Sequence, residues 1–314
     1  MRVLLGGRLP PEEMFPAGRA GYDVRWLTLP SGLRVRTVRC DPEEPSAVAG
    51  ASLPVVVFVH GWACSAYTWH RNLRPVADAG VHAVAVDLKG HGLSDKPLDM
   101  AGYTLPALGR HVLDVLDALE VDRVLLVGHS MGGAIALRVA LDAPERVTGL
   151  VLPAPVGFGA ISLMKYVPAL TPRPVQVVLP YLTPRWAFRV GLWRAYGRLG
   201  HATPRDVDEY YAPSRDPAFV RVVCRLAHAF DWTDGDPDQL RRVRCPTRVL
   251  FGSRDHLVSE EASRQFVECI PDVTIETVKD AGHTLPEEVP ERVNAAVLDS
   301  VLGRSRKQVN ELAS

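Results

Sequence analysis

Two stretches of unbroken apolar residues constrain the fold of this chain more than any other feature. Residues 55–59 read Val-Val-Val-Phe-Val and residues 124–127 read Val-Leu-Leu-Val. Strands that are apolar at every position are typical of a parallel sheet covered by helices on both faces. Weaker versions occur at 81–86 and 147–152. Helical periodicity fills the intervals, at residues 66–79, 105–119 and 131–142. We therefore predict a mostly parallel, doubly wound α/β sheet.

The alternation of strands and helices stops near Pro153 and resumes at Thr247. Beyond it we predict strands at 247–251 and 273–278 and helices at 259–268 and 287–302. Two earlier strands, at 26–29 and 33–38, make six strands before the interruption. Residues 153–240 hold 12 of the 22 aromatic side chains and are broken by prolines, which indicates short helices. We predict an N-terminal arm at 1–20, a core at 21–152 and 241–314, and a mainly helical cap at 153–240.

Composition excludes several function classes. The chain carries 36 basic and 36 acidic residues, and this zero net charge argues against a nucleic-acid partner. Five widely spaced cysteines without a C-x-x-C pair fit neither a disulfide framework nor a thiolate zinc site. The short N-terminal apolar stretch does not fit a signal peptide, so we expect a cytoplasmic protein. No metal-binding or dinucleotide-binding motif is found, so we predict no metal and no cofactor.

The motif that carries chemistry is Gly128-His129-Ser130-Met131-Gly132, a G-x-S-x-G. It follows an apolar strand directly and precedes a helical stretch, which is the setting of a nucleophile elbow. Such a turn holds the serine above the sheet at a helix N-terminus. There the backbone N–H of Met131 is available to bind an oxyanion.

With this motif in this setting, the sequence resembles the α/β-hydrolase fold family, in its capped branch. The resemblance covers most of residues 21–303 outside the cap. It implies the chain order serine, acid, histidine, and hence a triad of Ser130, Asp255 and His283, the last two just past predicted strands. A serine at the elbow, where relatives that open epoxides carry aspartate, implies acyl transfer.

Other residues compete for the roles of acid and base. Asp280 lies three residues before His283, and we expect it to cap a turn. His91 is expected to be structural, and His256 would point away from the neighbouring Asp255. His129 lies inside the elbow, where we expect it to support the site rather than act as the base.

The resemblance also supplies the second oxyanion donor. In the loop His60-Gly61-Trp62-Ala63-Cys64, the Trp62 N–H would join that of Met131, and His60 would organise the loop. We interpret Cys64 as a passive thiol. The residues expected to line the substrate pocket are Trp62, His129, Phe158, Trp186, Trp193 and Leu257.

One segment of the cap leaves two interpretations open. Residues 185–194 form an amphipathic helix in which Trp186, Val190 and Trp193 share a face beside arginines. We favour a helix packed on the core with a solvated basic face. Association with a membrane surface is the alternative.

The function indicated is hydrolysis of a small carboxylic ester with an apolar moiety, through an acyl-enzyme. A hydrolase of carbon–carbon bonds in vinylogous diketones, or of amides, would use the same triad. The family's carbon–carbon hydrolases carry a Gly-rich H-G-x-G-x-G loop that Trp62-Ala63-Cys64 replaces here. A non-catalytic ligand-binding protein of this fold is the alternative from another class. The oligomeric state is left open.

Overall fold

The structure of the chain, a computed structural model, describes most of the sequence. The described residues are 9–44, 47–48, 51–52, 55–157, 169, 171–230, 236–258, 266 and 268–303. Most of the helix predicted at 259–268 therefore lies outside the described residues, as does Phe158. No helix in the described ranges is both long and apolar enough to span a bilayer.

The described residues form a central sheet of eight strands, which are β1 (Asp23–Thr28), β2 (Arg34–Cys40), β3 (Val55–Val59), β4 (Ala83–Val86), β5 (Val124–Gly128), β6 (Val147–Pro153), β7 (Thr247–Gly252) and β8 (Val273–Val278). Their order across the sheet is β1-β2-β4-β3-β5-β6-β7-β8. β2 runs antiparallel to both β1 and β4, and all other neighbouring pairs are parallel. The predicted mostly parallel α/β sheet is confirmed.

Helices cover both faces of the sheet, which explains why β3 and β5 are apolar throughout. The α-helices among the described residues are α1 (Leu73–Asp78), α2 (Leu105–Ala118), α3 (Met131–Asp142), α4 (Arg173–Leu182), α5 (Arg185–Ala195), α6 (Pro204–Tyr211), α7 (Pro217–Ala229), α8 (Pro237–Leu240), α9 (Leu285–Glu288) and α10 (Pro290–Val301). Val57 and Leu126 point to one side of the sheet, where they pack with α2 and α3. Phe58 and Val127 point to the other side, where they pack with α1 and α10.

Two predicted helices are interrupted. The helix expected at 66–79 is instead a 3-10 turn, Ala66–Trp69, followed by α1. Between them the buried Asn72 turns inward, and its amide donates to Asn294 of α10 over 2.8 Å. The helix expected at 287–302 starts only at Pro290, because proline has no N–H with which to continue α9.

The segment between β6 and β7 provides α4 to α8, so its described part is helical, as predicted. The described part of the N-terminal arm packs against both the core and this segment. Phe15 is buried, with its ring edge-on to Tyr67, and its backbone N–H donates to Glu209 of α6 over 2.7 Å.

Candidate active site

Ser130 occupies a strained turn between β5 and α3. Its φ is 54° and its ψ is −120°, values that a side-chain-bearing residue rarely adopts. A Cβ at Gly128 would lie 2.4 Å from the Gly132 carbonyl oxygen, and a Cβ at Gly132 would lie 2.2 Å from that of Val59. Both positions therefore require glycine. A strained residue of this kind costs about 1–3 kcal/mol and is typical of functional sites.

His283 and Asp255 form a buried pair. The imidazole Nδ1 donates to Asp255 Oδ2 over 2.8 Å, and the other carboxylate oxygen accepts the N–H groups of Leu257 and Val258 over 2.7 and 3.0 Å. Burial alone would raise the pKa of Asp255, but the His283 imidazole and these N–H groups hold it below its usual value. The carboxylate therefore stays ionised and fixes the ring with Nε2 directed away from it.

The loop that carries His283 is held from two sides. His129, in the elbow, donates from Nε2 to the His283 carbonyl oxygen over 3.0 Å. Burial lowers the pKa of His129 to about 3, so it stays neutral. The His283 backbone N–H donates to the Ala195 carbonyl oxygen at the end of α5 over 2.7 Å. The structure thus places His129 as a support for the histidine loop.

The loop after β3 lies directly against the serine. A Cβ at Gly61 would be 3.1 Å from Ser130 Cβ. His60 organises the loop, because Nδ1 donates to the Gly61 carbonyl oxygen over 2.8 Å and Nε2 accepts from the Leu88 N–H over 3.1 Å. The Trp62 indole donates to the Val223 carbonyl oxygen of α7 over 2.9 Å. Met131 is in the first turn of α3, where backbone N–H groups have no acceptor within the helix.

The other candidate acids and bases lie elsewhere. Asp280 is paired with Arg254, at 2.8 Å from its Nε. His256 is exposed. His91 is buried against His60, and burial lowers its pKa to about 3. None of these three side chains lines the cavity that contains Ser130 and His283.

Ser130 and His283 line one cavity of about 400 Å³ under the cap. Of the predicted pocket residues, Trp62, His129 and Leu257 line it. The prediction for Trp186 and Trp193 is wrong, because these side chains are 65% and 72% exposed on the opposite face of α5. The face of α5 that meets the cavity carries mostly small and medium-sized side chains. The lining residues contributed by α5 and the residues just before it are Thr183, Ala187, Phe188, Gly191, Leu192 and Ala195. Their i, i+4 spacing is a signal that sequence reasoning missed.

A buried acidic pair behind the site was also missed. Glu288 accepts the N–H groups of Gly197, Leu199 and Gly282, the first two from the cap and the third from the histidine loop. Glu287 accepts hydroxyl hydrogen bonds from Tyr196 and Tyr210. Burial raises the pKa of Glu287 to about 7, although both tyrosines oppose the rise. These carboxylates bind the segment after α5 to the loop that carries His283.

Among the described residues, no group of three or more His, Cys, Asp and Glu side chains is placed to hold a metal ion. The family model described as alpha/beta hydrolase fold matches residues 54–301.

The uncharacterized hydrolase YugF of Bacillus subtilis (strain 168) is 27% identical over 253 residues, which cover 78% of this chain and 89% of YugF. The AB hydrolase superfamily protein YfhM of the same strain is 25% identical over 263 residues, covering 78% of this chain and 89% of YfhM. Among solved structures, the carboxylesterase CesB (YbfK) of Bacillus subtilis superposes with a TM-score of 0.72 at 21% identity, over 94% of this chain and 95% of CesB. That likeness is one of fold.

Proposed function

The chain belongs to the α/β-hydrolase fold family, and from that premise we propose that it is a serine hydrolase of carboxylic esters with an apolar moiety. The observation that carries the proposal is that the strained Ser130 and the Asp255-bound His283 line the same cavity. A nucleophile, a base and an acid that orients the base are the components of acyl transfer.

In the proposed mechanism Ser130 Oγ attacks the ester carbonyl carbon and His283 Nε2 takes its proton. The same proton then passes to the leaving alcohol, and an acyl-enzyme forms on Ser130. Water then attacks the acyl carbon while His283 Nε2 takes one of its protons. His283 passes that proton to Ser130 Oγ as the acyl–oxygen bond breaks, which releases the carboxylic acid and the free serine. The backbone N–H groups of Met131 and Trp62 stabilise the oxyanion, and losing one such donor costs about 3 kcal/mol.

The cavity supports a neutral, apolar substrate. Its described lining contains no Asp, Glu, Lys or Arg side chain and is dominated by groups such as Ala187, Phe188, Leu192 and Leu257. A volume of about 400 Å³ lies in the range of small-molecule sites. CesB, which shares this fold, is a carboxylesterase, and its activity is consistent with this substrate class.

The decisive experiment is a panel of p-nitrophenyl esters assayed with the wild type and Ser130→Ala, each checked by circular dichroism. We expect turnover and fluorophosphonate labelling of the wild type and loss of both in the variant. Ester hydrolysis at the wild-type rate by Ser130→Ala would refute the assignment. Faster turnover of anilides than of esters would indicate an amide hydrolase, and faster turnover of vinylogous diketones would indicate a carbon–carbon hydrolase. Thermal stabilisation by esters without turnover would indicate a binding protein.

A further inference from the structure

The cap exposes an unusual concentration of apolar side chains. Among the described residues, eleven large apolar side chains are exposed, and eight of them lie between positions 177 and 199. These eight are Val177, Val178, Tyr181, Leu182, Trp186, Val190, Trp193 and Leu199. Three of them, Trp186, Val190 and Trp193, share one side of α5 at i, i+4 and i+7 and are here termed the outer cap face. Exposed apolar side chains concentrated in this way are typical of an interaction surface.

The face is not explained by the active site. Helix α5 is two-sided: Ala187, Phe188 and Leu192 meet the cavity, whereas Trp186 and Trp193 point to solvent. The tryptophans therefore contribute to neither the core nor the lining of the pocket. Keeping two such large side chains in water forgoes the free energy that their burial would provide.

Positive charge is interleaved with these side chains. Arg189 and Arg194 are exposed on the same helix, and neither forms an ion pair with any described residue. Arg185, by contrast, is paired with Asp208 at 2.5 Å. The sequence from Pro153 to Arg205 contains seven basic residues and no acidic one. Arg189 and Arg194, which flank the exposed tryptophans, therefore favour an anionic partner.

A groove of about 470 Å³ lies beside Trp193, and the side chain of Arg189 lines it as well. Its lining includes Arg189, Trp193, Tyr196 and His201. A cationic side chain next to an amphipathic indole is the combination found where proteins meet the headgroup region of a bilayer.

From this arrangement we propose that the outer cap face docks on the surface of an anionic lipid bilayer. Trp186 and Trp193 enter the interfacial layer, and Arg189 and Arg194 lie against lipid phosphates. A second copy of the chain fits the face less well, because two-fold pairing would bring the same basic residues together. Docking would place the helix that roofs the cavity at the membrane surface. It does not depend on the proposed hydrolysis and can be measured without turnover.

The test is co-sedimentation of the full chain with vesicles of phosphatidylcholine alone and of phosphatidylcholine with phosphatidylglycerol. We expect binding to the mixed vesicles only, weakening as salt is added. Trp186→Ala/Trp193→Ala should lower the partition coefficient about tenfold or more, and Arg189→Ala and Arg194→Ala about fivefold each. The matched control is Trp26→Ala, which removes a tryptophan that is 44% exposed on β1, outside the face.

Brominated phosphatidylcholine in the mixed vesicles adds a readout of depth. It should quench wild-type and Trp26→Ala fluorescence, and the double tryptophan variant should lose most of the quenching. All variants should keep the wild-type rate on a soluble ester, which separates docking from folding and catalysis. Failure of the folded wild type to sediment with the mixed vesicles would overturn the proposal. Equal binding by the double tryptophan variant would also overturn it. So would a wild-type protein that does not bind vesicles but forms a dimer, if the double tryptophan substitution dissociates that dimer.

Discussion

The two walls of the active-site cavity are built in different ways. The wall formed by the core is fixed by backbone geometry: Gly128 and Gly132 leave no room for a side chain, and Ser130 is held at a positive φ. The wall formed by the cap is a helix face of small and medium side chains, including Ala187 and Gly191. The chemistry therefore depends on a few local backbone constraints, whereas the shape of the pocket depends on which face of α5 is turned towards it.

The two parts of the cap differ in how they contact the rest of the protein. The segment after α5 is joined to the histidine loop through Glu287 and Glu288, and Arg198 donates its backbone N–H to the Asp280 carbonyl oxygen over 2.7 Å. On α4 and on the outer cap face of α5, apolar side chains are exposed instead. One part of the cap therefore supports the catalytic geometry, and the other part is available to a partner.

The strongest test of the core wall is Asp255→Asn. Losing the carboxylate leaves His283 without the partner that sets its tautomer, so we expect kcat on a p-nitrophenyl ester to fall about 10⁴-fold. The thermal midpoint should change little, because Asn can accept the same backbone N–H groups.

The matched control for this variant is Asp280→Asn, three residues from the histidine. Asp280 is paired with Arg254 outside the cavity, so kcat should be close to that of the wild type. A larger loss in Asp280→Asn than in Asp255→Asn would exchange the assignments of the two carboxylates.

The core wall was predictable from sequence for a physical reason. The buried strand, the two glycines and the helix start are consecutive in the chain, so local sequence determines the elbow at Ser130. The cap wall was not predictable in this way. Periodicity shows that Trp186 and Trp193 share a face of the helix. It does not show whether that face, or the opposite face with Ala187 and Gly191, meets the core. Glu287 and Glu288 resemble an exposed helical turn until the fold brings Gly197 and Tyr210 to them.

The junction of the two walls is tested by Gly197→Ala. A Cβ at this position would lie 2.3 Å from the Asp280 carbonyl oxygen and 2.5 Å from the Gly282 backbone nitrogen. The cap must move away from the histidine loop, which we expect to cost about 1–3 kcal/mol of stability and to lower kcat. Thermal unfolding and ester kinetics measure the two effects.

The control for this variant is Gly191→Ala, on α5 away from the junction, where a Cβ would meet no atom within 4 Å. It should stabilise the protein by about 0.5–1 kcal/mol through helix propensity. An unchanged thermal midpoint in Gly197→Ala would show that the backbone contact between cap and loop is not tight.

The pH dependence of stability tests the buried carboxyl group of Glu287, which joins the cap to the histidine loop. Because burial raises the pKa of Glu287 from 4.5 to about 7, the folded state retains this proton where the unfolded chain has lost it. Its stabilising contribution is complete below about pH 4.5 and is lost as the pH rises through about 7. Glu287→Gln, which mimics the protonated acid, should therefore gain in thermal midpoint relative to the wild type as the pH rises across this window.

The control is Glu291→Gln, on the exposed surface of α10, which should follow the wild type. Parallel curves for Glu287→Gln and the wild type would contradict the raised pKa.

The smallest effect is expected at Cys64, the other potential nucleophile of the cavity. Burial, with a contribution from the nearby Glu287, raises the pKa of this thiol to about 12, so it stays protonated and unreactive near neutral pH. Cys64→Ala should keep kcat within about twofold of the wild type, since a neutral thiol contributes no nucleophile to the reaction. In the folded protein iodoacetamide should label Cys64 slowly at pH 8, and unfolding should accelerate the labelling. Rapid labelling that abolishes ester hydrolysis, together with an inactive Cys64→Ala variant, would move the nucleophile from the elbow to the loop after β3. Ser130 would then be a strained turn residue without a chemical role.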